Sequence, residues 1–278
     1  MIIKFYGTRG SIPVCEKGFQ EFGGNTTCVV VMDDSKIGDV LIFDAGTGIR
    51  NLGKELMKRS FKEESKIVIA FSHFHWDHVQ GFPFFAPAYD SSKKIDIIAL
   101  GDELKITDLK SIFTNQMKST YFPVSLENMG AEFIFHLKKS NEEMFRTGST
   151  GKLLSNAHSH PGGAHGYRLE VNGKVLVYCT DIEHGDTLDQ KVIDFAKGAD
   201  VLIHEAQYTP EELPKYRGWG HSSWGQAIEV AKLAGVKKLY MTHHDPDHND
   251  AFILEEEKKC QAIFKKCYFA REGEEIKI

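Results

Sequence analysis

Within six positions the chain carries His73, His75, Asp77 and His78, in the stretch His73-Phe74-His75-Trp76-Asp77-His78. Imidazole nitrogen and carboxylate oxygen are the donors that suit zinc and neighbouring divalent ions. The stretch directly follows the apolar run at 66–71, which reads as a buried strand. Side chains alternate along an extended segment, so His73 and His75 project to one side, as ligands of one ion must. Asp77 and His78 fall where the chain should turn into a helix, which aims them towards a second ion. A merely polar loop would need no strand in front of it. The stretch is expected to bind metal.

Three more apolar strands are expected to end in His or Asp. One leads into His158-Ser159-His160, a second into Cys179-Thr180-Asp181, and a third into Thr242-His243-His244. A lone histidine at a strand end is ordinarily a packing or surface residue. Four such ends in one chain point to a shared purpose, because α/β folds place their chemistry at the ends of strands. His184, His244, Asp245 and His248 are expected to support the site or lie at the surface. On the residues alone, His158 and His160 are both eligible.

The elements that must position these residues are legible from periodicity. Strands are expected at 2–6, 27–31, 39–44, 66–71, 95–100, 133–135, 200–205, 236–241 and 267–270, with a hairpin at 166–178 turning on Asn172-Gly173. Helices are expected at 49–59, 104–117, 189–196, 221–234 and 250–265. The segment 118–132 has no clear period, and 138–150 reads as a polar connection. Two glycine-bearing loops, around Gly7-Thr8-Arg9-Gly10 and Gly23-Gly24-Asn25, lack the spacing of a phosphate cradle and read as turns. If they serve the site, Arg9 and Asn25 are the polar groups to suspect. The aromatic run 82–85 is expected to pack in the core. Strands first, then strands alternating with helices, predict two mixed β-sheets with helices outside. No repeat or linker interrupts the pattern, so one domain over residues 1–278 is expected.

Composition narrows the class. With 41% hydrophobic and 26% charged residues, the chain is an ordinary globular one. A formal charge of −5 supplies no basic excess for phosphates, so no general nucleic-acid binding is expected. The five cysteines show no Cys-x-x-Cys spacing and fit reduced thiols. No apolar run approaches the ~20 residues of a membrane span, and a strand is expected from residue 2 without a signal peptide. A cytoplasmic location with no membrane partner is expected.

The stretch His73-x-His75-x-Asp77-His78 after an apolar strand resembles the signature of the metallo-β-lactamase superfamily, and the likeness runs from Gly7 to about Pro246. The resemblance implies a four-layer αββα sandwich of two mixed sheets. It selects His160 over His158, because the family's third element is a His six residues before Gly166-Tyr167-Arg168. It implies that His73, His75, His160 and Asp181 hold one divalent ion and Asp77, His78, His243 and Asp181 the other, with Asp181 shared and zinc, manganese or iron accepted. In such a family 118–132 is the place for a variable lid.

Two ions bring four positive charges and Asp77 with Asp181 removes two, so an anionic diester would be drawn to the centre. His204-Glu205-Ala206 and Gly220-His221-Ser222 are similar to motifs of the phosphodiesterase branch. There His221 would assist the leaving group and Glu205 would orient it. The expected activity is a dinuclear phosphodiesterase in which a metal-bridging hydroxide attacks a small or cyclic nucleotide-type diester. Asp77, Glu205 and His221 are its catalytic residues, and a homodimer is allowed. A tRNA 3′-processing endonuclease is an alternative, but the resemblance implies a long basic arm in such enzymes, for which 118–150 is short and mixed in charge. A thioesterase of the glyoxalase II type leaves Glu205 and His221 unexplained.

Overall fold

Val29 and Val31 face one side of their strand and Val30 the other, and all three are buried. A strand covered on both faces reads as an unbroken apolar run, which is the pattern seen at 28–32 and 67–70. Each aliphatic side chain so buried contributes roughly 1.5–3 kcal/mol. A slip of one residue would exchange the two faces, so the packing on each side fixes the register.

The computed structural model describes residues 1–32, 39–59, 66–100, 107–139 and 151–278. Its first half contains β1 (Ile2–Gly7), β2 (Cys28–Met32), β3 (Val40–Phe43), α1 (Ile49–Leu56), β4 (Ile67–Ala70), α2 (Trp76–Val79), β5 (Lys94–Leu100), α3 (Leu109–Gln116) and β6 (Glu132–Lys138). The second half contains β7 (Lys152–His158), β8 (Ala164–Val171), β9 (Lys174–Cys179), α4 (Gln190–Ala196), β10 (Val201–Glu205), α5 (Trp224–Leu233), β11 (Leu239–Thr242), α6 (Asp250–Ile263), β12 (Cys267–Phe269) and β13 (Glu275–Lys277). Among the described residues the strands form a seven-stranded sheet, β13-β1-β2-β3-β4-β5-β6, and a six-stranded sheet, β12-β11-β10-β9-β8-β7. The first is parallel from β3 to β6 and antiparallel beyond; the second is parallel from β9 to β12.

The facing sides of the sheets bury one core, with Phe5, Phe43 and Val68 against Tyr167, Tyr178 and Ile203. Phe43 is stacked between the two tyrosines, at 5.4 Å from Tyr167 and 4.9 Å from Tyr178. Outside the first sheet lie α1 and α3, packed through Leu52, Leu56 and Phe113. Outside the second lie α4, α5 and α6, packed through Val192, Ile228 and Cys260. This is the expected αββα sandwich. No helix among the described residues is long and apolar enough to cross a membrane.

Three elements differ from expectation. Helix α5 starts at Trp224 rather than 221, because Ser223 and Gln226 form a reciprocal cap that ends the preceding extended segment there. His221 therefore sits on a loop. Strand β13 was not expected, since Ile276 is its single buried residue. The segment 118–132, where a lid was expected, sends Leu126 and Met129 into the outer core of the first sheet. Of the polar connection, 140–150 lies outside the described residues. Of the aromatic run, Phe82 and Phe85 are core residues, as expected, while Phe84 is exposed.

Candidate metal centre

Five parallel strands stop on one edge of the sandwich, and each hands over a polar residue there. Strand β3 leads to Asp44, β4 to Ser72 and His73, β9 to Asp181, β10 ends in Glu205, and β11 leads to His243. At Asp44, Asp181 and His243 the backbone turns sharply, with φ of 60°, 49° and 61°. Left-handed backbone costs a non-glycine residue of order 1–3 kcal/mol and gathers at functional sites.

The expected ligands come together in two groups. His73, His75, His160 and Asp181 offer donor atoms within 4.8 Å of one another, and so do Asp77, His78 and His243. Asp181 faces both. Its Oδ2 lies 3.5 Å from His73 Nε2 and 3.6 Å from His160 Nε2, while its Oδ1 lies 3.3 Å from both His78 Nε2 and His243 Nε2. In the second group Asp77 Oδ2 stands 3.0 Å from His243 Nε2 and 3.3 Å from His78 Nε2. His158 is elsewhere: its Nδ1 donates to the Thr180 carbonyl at 3.0 Å, and burial pushes its pKa down to about 3.

The residues fit a metal by a test internal to the protein. Nε2 of His73 and Nε2 of His78 are buried and have no hydrogen-bond partner among the described residues. Such an atom costs about 1–3 kcal/mol unless something else satisfies it. Donors 2.0–2.1 Å from a tetrahedral ion stand about 3.4 Å apart, which is the spacing between Asp181 and the rings around it. Meanwhile the outward ring nitrogens are held. His78 Nδ1 bonds Asp44 at 2.9 Å, His73 Nδ1 bonds Ser72 Oγ at 3.1 Å, His160 Nδ1 bonds the Gly220 carbonyl at 2.8 Å, and His243 Nδ1 bonds Gln207 Oε1 at 3.0 Å. Fixing the outer nitrogen selects the inner one as donor. Burial would raise the carboxyls of Asp77 and Asp181, but the surrounding imidazoles hold both well below the usual range.

His221 lies beside this centre, its ring stacked 4.9 Å from that of His243. Its Nδ1 is 3.6 Å from Glu205 Oε1, too far for a hydrogen bond but close enough for strong charge attraction. Burial lowers its pKa, yet the Glu205 carboxylate lifts it to about 9. Glu205 also accepts the backbone N–H groups of Ser222 at 2.6 Å, Gln207 at 3.1 Å and Ile182 at 3.2 Å. It organises three loops as well as facing His221.

The glycine loops are structural supports. The buried Arg9 donates to the carbonyls of Gly23, Asp245 and His248, and Asn25 donates to Glu272. Gly10 matters by closeness, since a Cβ there would overlap the ring of His243. His244 donates to the Ala270 carbonyl, His248 meets Glu212 at 2.9 Å, Asp245 accepts from Gln207, and His184 faces His204 at 3.4 Å. None of these four is in either ligand group. Beyond the expected residues, the site uses Asp44, Gln207 and the Ser11 amide, which donates to Asp77 at 2.8 Å.

Comparison with known proteins agrees with this architecture. A profile of the beta-lactamase superfamily domain matches residues 40–244. The ribonuclease Z of Thermoplasma acidophilum is 25% identical, with 99% of this chain and 96% of the relative covered. That of Streptococcus mutans is 24% identical, with both chains covered in full. The short form of human tRNase Z superposes with a TM-score of 0.69 at 18% identity, covering 100% of this chain and 99% of its own. A diphosphatase of the PhnP family superposes with a TM-score of 0.72 at 17% identity, over 100% of this chain and 97% of its own. At these identities the solved structures share the fold.

These relatives correct one expectation. A small anionic diester and no general nucleic-acid binding were expected, whereas the sequence relatives are ribonucleases, which fits the alternative of a tRNA 3′-processing endonuclease better. The reason is physical. A formal charge of −5 is a sum over the whole chain, and it says nothing about the field at the mouth of one site. The scissile phosphodiester is also the same group in a dinucleotide and in a long RNA.

Proposed function

This chain belongs to the metallo-β-lactamase superfamily, and from that premise we propose that it is a metal-dependent phosphodiesterase that cleaves RNA, in the manner of tRNA 3′-end processing. The observation that carries this reading is Asp181, with one carboxylate oxygen turned to each ligand group. His73, His75, His160 and Asp181 would hold one divalent ion, and Asp77, His78 and His243, with Asp181 again, would hold the other. Zinc suits these donors, and manganese or iron accept the same set. When bound, the two ions neutralise phosphate charge and lower the pKa of water towards 7.

The chain's own groups do the rest. The Ser11 amide keeps Asp77 turned into the centre. His221 faces Glu205 through Nδ1, which leaves Nε2 to meet the substrate. As water attacks phosphorus and the bond to the leaving oxygen breaks, His221 gives that oxygen its proton and Glu205 stabilises the ring in the required orientation. The ribonuclease Z relatives support RNA as the substrate. All five thiols are free, which suits a reducing, cytoplasmic setting.

A precursor tRNA bearing a 3′ trailer, bis(p-nitrophenyl) phosphate and a glutathione thioester would be assayed with metal content measured in parallel. We expect cleavage of both diesters. Asp181→Ala should lose the metals and all activity. His221→Ala should slow cleavage about 10²–10⁴-fold with its metals retained. Thioester hydrolysis with the RNA left intact would sink the reading, and metal loss in His221→Ala would remove the proton-donor role.

A further inference from the structure

Among the seven ligand residues, His75 is the exposed one, so substrate reaches the centre past it. Its Nδ1 lies 3.0 Å from His160 Nε2, and the opposite nitrogen of His160 bonds the Gly220 carbonyl at 2.8 Å. Each partner of His160 has a tryptophan as its chain neighbour: Trp76 follows His75 and Trp219 precedes Gly220. These indoles are 68% and 63% exposed.

Trp219 is held in place. The Glu183 carboxylate accepts the backbone N–H of Gly218 at 2.8 and 3.0 Å and that of Gly220 at 2.8 Å, clasping the loop on both sides of the indole. Both glycines have left-handed backbone, with φ of 85° and 90°, a conformation that glycine adopts without strain. The indole meets Tyr216 edge-on at 5.3 Å, and Tyr216 is stacked at 4.3 Å on the buried Tyr208. Tyr208 in turn touches the ring of His221, 6.1 Å away. An aromatic series therefore runs from the proposed proton donor to a rigid, solvent-facing ring. The clasp places that ring without burying it, so the ring adds little to the core.

We propose that Trp76 and Trp219 are stacking platforms for the bases flanking the scissile phosphate, so that the mouth takes single-stranded nucleic acid. This deepens the phosphodiesterase reading and rests on it. The occupant follows from continuity. Two exposed indoles each stand one residue along the chain from a partner of the same ligand histidine, His160, at a centre suited to phosphate. In nucleic acid each phosphodiester is flanked by nucleosides that carry a base, so one ligand supplies both the anion and the π-faces. Every base has a π-face, so such platforms bind single strands with little sequence preference.

The test is binding, with cleavage measured alongside. A short phosphorothioate-linked oligoribonucleotide and its analogue with abasic sites beside the central linkage would be titrated into the protein by fluorescence anisotropy. Trp219→Ala should raise Kd for the base-bearing strand about tenfold, and Trp219→Phe should restore most of the affinity. On the abasic strand the alanine substitution should cost less than about threefold, which shows that ring and base are coupled. Trp76→Ala should behave likewise. Equal binding of the two strands by wild type would overturn the proposal, and so would equal losses on both in Trp219→Ala. Self-association lost in Trp219→Ala would reassign the ring to a contact with a second copy of the chain. If wild type cleaves unmodified RNA but shows no such coupling, the platforms fall and the phosphodiesterase reading stands. Coupling without RNA cleavage would have the opposite meaning.

Discussion

The carboxylate of Asp44 accepts four hydrogen bonds: Ser72 N at 2.7 Å, Ser72 Oγ at 2.8 Å, His78 Nδ1 at 2.9 Å and the Tyr178 hydroxyl at 2.7 Å. By accepting a hydrogen bond from His78 Nδ1–H it fixes the proton there and leaves Nε2 bare and turned to the second ligand group. In Asp44→Asn the amide N–H₂ can donate to that same ring nitrogen and reverse the tautomer. The variant should lose about 10–100-fold in metal affinity, read as metal content after dialysis against a weak chelator. Full occupancy would show that Asp44 merely fills space. The sign of Asp44 is present in the sequence, an apolar strand ending in Asp, as at Asp181. The supports supplied by Ser11 N, the Gly220 carbonyl and Gln207 are different. Two are backbone groups and the third arrives from a distant loop, so no local pattern marks them. The histidines and Asp181 were legible because several rare donors at strand ends repeat one pattern. Glu205 was legible as a partner for His221, while its bonds to three backbone amides emerge only in the folded chain.

At the scale of elements, α1 is tied to the first sheet by Glu55, which accepts from Lys4 and Tyr6 of β1 and from Arg59. Burial would raise this carboxyl, but the three donors bring it from 4.5 to about 2. Because the folded value is the lower one, its contribution is fully present above the unfolded pKa and is lost as pH falls from about 4.5 towards 2. Glu55→Gln should therefore melt below wild type at neutral pH, with the gap closing across that acid interval. A gap that persisted at the acid end would mean that the charge is not what matters. The strands buried on both faces were readable because uninterrupted runs of Val and Ile leave little choice. Element ends were less readable, as in α5, where the cap at Ser223 sets the start while apolar periodicity alone extends it back to 221. Strand β13 was invisible because its stability comes from pairing with β1, three residues at a time, rather than from its own composition.

In the molecule as a whole, His73, His75, Asp77 and His78 leave the first sheet, whereas His160, Asp181 and His243 leave the second. Ions held by both sets would join the two layers. A ligand bound to the folded state alone stabilises it by about 2.7 kcal/mol at 100 times its Kd, and for a chain of this size that is about 5 °C or more. Chelation should lower the melting temperature by such an amount and re-addition of zinc should restore it. An unchanged transition would mean that the layers hold together without the centre. The left-handed backbone at Asp44, Asp181 and His243 bears on the chain's freedom to vary. Asp, Asn and His are among the few side chains that tolerate such a conformation, with glycine beside them. The residues that suit the backbone at these three points are thus nearly the ones that suit the chemistry. A substitution that relieves or keeps the turn changes the donor, and one that leaves the short menu strains the turn as well. Neutral drift has almost no room there, whatever happens on the outer helices.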